Sequence, residues 1–157
     1  MRTMDHHTAP HKVPAGWAAA VSATLHCLTG CAVGEVLGMV LATWWGWASV
    51  PSVLLAVALA FFFGYLLTFA SVRRRGLAPA AALRVALAAD TVSIAVMELV
   101  DNGFLLVVPG AMAAGLADVL FWSTLGGSLA IAFVVTVPVN RWLIGRGQGH
   151  AVVHAMH

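Results

Sequence analysis

Hydrophobic positions gather into four long runs separated by short connections that carry glycine, proline or charge. The runs cover about residues 17–45, 51–72, 81–108 and 117–144. Each exceeds the roughly 20 residues that a helix needs to cross the hydrocarbon of a bilayer. Trp17 and Trp45 bracket the first run, at the depths where indole rings settle at a membrane interface. The second, "PSVLLAVALAFFFGYLLTFASV", stops at Arg73-Arg74-Arg75; the third ends before Pro109-Gly110; the fourth ends in "GRGQG". This pattern predicts an all-α polytopic membrane protein, a four-transmembrane-helix bundle whose short connections make successive helices antiparallel neighbours. A leader over 1–15 and a tail over 147–157, both containing histidine, flank the membrane domain at 16–146.

Composition points the same way. Of 157 residues, 61% are hydrophobic and 9% charged, with a mean hydropathy of +0.93. A water-soluble domain carries about 25% charged residues, so this chain lacks the groups to cover a water-facing surface. A soluble bundle would also need polar outer faces. The net charge of +2, with no basic stripe among aromatics, argues against nucleic acid as a partner. The polar leader and the length of the first apolar run do not fit a cleavable signal, so that run is expected to remain as a membrane helix.

Charge also sets an expected orientation. All eight basic residues fall on one side of a four-crossing arrangement: Arg2, Lys12, Arg73, Arg74, Arg75, Arg84, Arg141 and Arg146. The connections "WGWASVPS" and "PGAMAAGLAD" have none. Basic residues mark the cytoplasmic side, which places both termini and the middle connection in the cytoplasm of a cell with this protein in its inner membrane.

Against this apolar background the first run holds "TLHCLTGCAVGEVLG". Cys27, Cys31 and Glu35 recur every fourth residue and climb one helix face. Gly30, Gly34 and Gly38 repeat beside them, a spacing that lets a neighbouring helix approach closely. In "AADTVSIAVMELVDNG" of the third run, Asp90, Met97 and Asp101 share a face within roughly 40° and Glu98 stands about 60° further round, with Asn102 alongside. With Cys31 and Met97 both set at mid-membrane, Cys31 is level with Met97 and Glu98, and Glu35 with Asp101. His26, Cys27 and Asp90 sit nearer the cytoplasm. Two spans thus offer one polar column.

Four carboxyl groups lie at membrane depth with no lysine or arginine deep enough to neutralise them. A charged side chain there costs about 2.5–3.5 kcal/mol on insertion scales, so the carboxyls must hold protons or share a cation. The metal candidates are His26, Cys27, Cys31, Glu35, Asp90, Met97, Glu98 and Asp101. Sulfur ligands favour Cu(I), imidazole suits several transition ions including Zn and Fe, and carboxylates suit harder ions or protons. The competing reading makes the cysteines small apolar packing groups and Met97 a core residue. A Cys27–Cys31 disulfide is not expected, because side chains one helical turn apart do not converge.

Six of the seven histidines lie outside the runs. His150, His154 and His157 share one face if the tail is helical, a possible collection point for metal at the cytoplasmic mouth. In the fourth run Pro138 is expected to loosen the helix ladder, Gly126-Gly127 marks close packing or a flexible point, and Arg141 is expected to snorkel to the interface. Nucleotide and serine-hydrolase motifs are absent, and Glu98-Leu-Val-Asp101 lacks the helical histidine of ferritin-like metal sites. An enzyme reading, such as metal redox chemistry in the bundle, is therefore the weaker one.

The segments "LHCLTGCAVGEVLGMV", "ALAADTVSIAVMELVDN" and "PVNRWLIGRGQGHAVVHAMH" resemble a family of small prokaryotic four-helix membrane proteins catalogued as a domain of unknown function. The resemblance implies one compact domain in the cytoplasmic membrane and supplies no catalytic residues. Matching positions are His26, Cys27, Cys31, Glu35, Asp90, Glu98, Asp101, Asn102, Asn140, Arg141, His150 and His154. Three functions are expected from these features. The favoured one binds or translocates a transition-metal cation, copper above others; the second is a proton-linked carrier or channel component; the third is a non-transporting subunit of a membrane complex or homo-oligomer.

Overall fold

A computed structural model describes residues 16–146; the histidine-bearing leader and tail, with His150, His154 and His157, lie outside the described residues. The described chain forms α1 (Trp17–Trp45), α2 (Ser49–Arg74), α3 (Pro79–Val107) and α4 (Val119–Gly145), with a 3-10 turn at Ala111–Ala113 between the last two. All four helices have the length and apolar character to cross a membrane.

Helix ends fall within two residues of the hydropathy boundaries, and local chemistry explains the shifts. Arg73 and Arg74 extend α2, since cationic side chains favour the carbonyl-bearing end of a helix. Pro79 opens α3, at a position whose N–H would have no helical partner. Gly46, at φ 66°, closes α1: its N–H reaches Thr43 O at 3.2 Å and the Trp47 N–H reaches Ala42 O at 2.9 Å. Those paired bonds satisfy terminal carbonyls through a left-handed residue. α4 runs unbroken through Pro138.

Each helix packs on its neighbours in sequence, and α4 returns to α1, so α1 faces α3 across the bundle axis. The glycine ladder of α1 makes the closest seam. A methyl group at Gly30 would stand 2.7 Å from Gly64 Cα, one at Gly38 would stand 2.6 Å from Ala56 Cα, and one at Gly34 would meet the Ala60 backbone. α2, which has no charged residue before Arg73, fills the groove.

The exterior is apolar and the interior holds the polar groups. Leu54, Leu66, Leu99, Leu106 and Val134 project outward, whereas Thr24, Thr68, Asp90, Ser93 and Thr136 are fully buried. That inversion suits lipid as the surrounding medium. Arg73, Arg74, Arg75, Arg141 and Arg146 collect at one end, where Arg141 stacks over Trp17 at 4.1 Å and Arg146 over Trp142 at 4.0 Å. Arg141 is exposed there, as a snorkelling group should be.

Candidate functional site

The end opposite the arginines opens into the bundle. A cavity of about 420 Å³ descends between the helices from a mouth built by the Gly46–Ser49 turn and the Ala111–Gly115 segment. Ser49 Oγ donates to Met112 O at 3.2 Å, the Gly115 N–H donates to Asp118 Oδ2 at 2.7 Å, and together these bonds shape the rim. The walls are mostly apolar, with Met39, Val53, Leu105 and Phe121 among them. At the floor lie Glu35 from α1 and Glu98 and Asp101 from α3, joined by Asn102, Thr124 and Ser128. Among the described residues no basic side chain lines it.

The floor is the outer part of the column read from sequence. Glu35 and Asp101 stand side by side, with Ser128 next to Asp101. Neither oxygen of Asp101 completes a hydrogen bond of good geometry, nor does Glu98 Oε1, although all three are buried. Asn102 Nδ2 donates to the Glu98 carbonyl at 2.8 Å and approaches Glu98 Oε2 at 3.4 Å. Lone pairs buried without donors favour a positive charge close by.

Sulfur comes next. Cys31 Sγ lies 3.9 Å from Met97 Sδ, and the Glu98 carboxyl reaches Cys31. Around this pair Ile94, Ala60 and Ala132 are fully buried. One layer thereby draws on every helix and closes the cavity. Ile94 projects into the notch left by the missing side chain of Gly64.

Beyond that layer, toward the arginine end, Cys27 Sγ donates to Asp90 Oδ1 at 3.6 Å, and Thr68 on α2 donates to the same carboxyl group. On the other side of the bundle Asn140 Nδ2 donates to Thr24 Oγ1 at 2.8 Å, and Ser93 Oγ donates to Asn140 Oδ1. Thr24 Oγ1 in turn donates to Ala20 O at 2.8 Å. Thr136 sits one turn from Asn140, buried with Oγ1 unmatched.

The expected column thus divides into three parts. Glu35, Glu98 and Asp101 come together, Cys31 meets Met97, and Cys27 meets Asp90. His26 joins none of these groups: its imidazole donates to the Leu67 carbonyl of α2, because the residue before Cys27 is rotated about 100° from the α3-facing side. Gly30, Gly34 and Gly38 receive α2. Among the described residues, no three side chains drawn from His, Cys, Asp and Glu converge on a point that a metal ion could occupy. Sequence reading missed the hydroxyl partners Thr24, Thr68, Ser93 and Ser128. A lone Ser or Thr in an apolar helix gives little signal, since it can bond to its own preceding turn. Asn140, one of the positions that carry the resemblance, is buried as the tie between α1, α3 and α4.

A family model described as a domain of unknown function (DUF4396) matches residues 16–149, which takes in all four helices. No curated protein and no solved structure matches the chain.

Proposed function

For this chain, which belongs to the DUF4396 family, we propose a role as an intramembrane cation-binding protein. In this reading a transition-metal cation enters through the cavity and is passed toward the sulfur layer. One observation carries it: three acidic side chains meet at the floor of an open cavity that no described basic residue lines, and three of their oxygens complete no hydrogen bond of good geometry. In a low-dielectric setting such a floor attracts positive charge and repels anions. Sulfur directly behind the carboxyls supports a transition metal over an alkali ion. The positive-inside bias supports an arrangement in the cytoplasmic membrane with the arginine end inward and the cavity facing outward.

The side-by-side carboxyl groups of Glu35 and Asp101 favour a second reading. Two such groups can share one proton, so cation movement would be linked to proton movement. Both readings are tested with protein reconstituted in liposomes carrying a metal-sensitive and a pH-sensitive dye. Metal uptake abolished by Glu35→Gln with Asp101→Asn supports the first. Proton flux without metal, lost in the same variant, supports the second. A wild-type protein that binds and moves neither refutes both.

A further inference from the structure

We propose that Cys31, Met97 and Glu98 form a three-coordinate site for a soft monovalent ion, Cu(I), at the base of the cavity, and that Cys27 takes no part in it. The inference rests on the cation-binding reading above and identifies the ion and its ligands.

Geometry is the first argument. With metal–sulfur bonds of about 2.3 Å, two sulfurs 3.9 Å apart subtend about 116° at the metal. Linear coordination would need the sulfurs about 4.6 Å apart on the same bond lengths. The separation therefore suits a trigonal ion with a third ligand. Glu98 supplies it: its carboxyl group reaches Cys31, it is 6% exposed, and Oε1 is buried without a hydrogen bond.

Ligand chemistry is the second. A thiolate and a thioether select Cu(I) over harder ions. Zinc prefers four ligands, and here Ile94, Ala60 and Ala132 surround the sulfurs with hydrocarbon. No third His, Cys, Asp or Glu among the described residues completes a set with Cys31 and Glu98. Cys27 is held by Asp90, one turn lower on α1.

Binding exchanges one positive charge for another. The S–H bond of Cys31 breaks, a sulfur–metal bond forms, Glu98 binds through a carboxyl oxygen lone pair without changing its own protonation, nothing is oxidised or reduced, and one proton leaves by way of Glu35 and Asp101 to the cavity. The buried charge is unchanged, which avoids the desolvation cost that a second positive charge would bring.

The test uses full-length protein in detergent under anaerobic conditions, with Cu(I) competed against bathocuproine disulfonate and with Mn(II) and Zn(II) titrated separately. One Cu(I) per chain is expected, with extended X-ray absorption fine structure showing two sulfur scatterers at about 2.3 Å and one oxygen. Cys31→Ala and the volume-conserving Met97→Leu should each weaken Cu(I) binding by at least about 100-fold, the upper range for a disturbed metal site. Cys27→Ser should bind as wild type. Unchanged affinity in Met97→Leu, a spectrum with two thiolates, or a loss of affinity confined to Cys27→Ser would overturn the site. Wild-type binding of Mn(II) or Zn(II) that depends on Glu35 and Asp101, with no Cu(I) bound, would overturn it and leave the cation-binding reading standing. No binding of any of the three ions would overturn the binding reading as well.

Discussion

Asn140 on α4 donates its side-chain amide to Thr24 Oγ1 on α1, 2.8 Å away and 116 residues distant in sequence, while Ser93 on α3 donates to the same side chain. One residue thereby ties three helices in the half of the bundle that lacks the cavity. Asn140→Leu should lower stability by about 1–2 kcal/mol, because interhelical hydrogen bonds in membranes contribute about 0.6 kcal/mol on average and up to about 1.7. A double-mutant cycle with Thr24→Val, read by unfolding in mixed micelles, should return a coupling within that span. Additive losses would remove the direct tie.

Along the α1–α2 seam, Gly34→Val should cost about 1–3 kcal/mol, the ordinary penalty of overpacking, since its side chain would meet the Ala60 main chain. Gly126 offers the contrast. Nothing lies within reach of a methyl group there, and replacing a helical glycine by alanine gains roughly 0.5–1 kcal/mol. Thermal scans of Gly34→Val and Gly126→Ala should move in opposite directions.

Access to the cavity can be read by thiol labelling in intact cells. Met112→Cys, at the mouth, should react with a membrane-impermeant maleimide, whereas Ala78→Cys, exposed at the arginine end, should react only after the membrane is opened. Cys27 and Cys31 are 1% and 0% exposed and should stay unlabelled until the protein is denatured. The reverse pattern for the two introduced thiols would invert the proposed orientation.

Acidity should oppose metal binding. If Cys31 gives up one proton for each ion bound, as proposed, affinity should rise about tenfold per pH unit wherever the thiol remains protonated. The same slope should survive in Glu35→Gln and vanish in Cys31→Ala. Isothermal titration in buffers of different ionisation enthalpy counts the protons released.

Much of the bundle was legible in the sequence because lipid imposes a simple demand, a long apolar stretch for each crossing. Trp17 and Trp45 marked α1 for that reason. With Cys31 and Met97 set level at mid-membrane, helical rise alone brings Glu35 to the height of Asp101, and the structure has the two side by side. His26 did not follow. Its place depends on which neighbour packs against which side of α1, and the glycine ladder that brings α2 so near also brings the Leu67 carbonyl within its reach. The hydroxyl partners of Asn140 were hidden for a related reason: each is a single mild polar residue, and only the convergence of three helices makes them a cluster.

The layer in which Ile94, Met97, Ala60 and Ala132 meet has a consequence for the host cell. Apolar side chains from all four helices stand there between Asp101, on the cavity side, and Asp90, on the arginine side, and such a layer opposes the passage of a bare ion. A cell could hold many copies of this chain without short-circuiting its membrane.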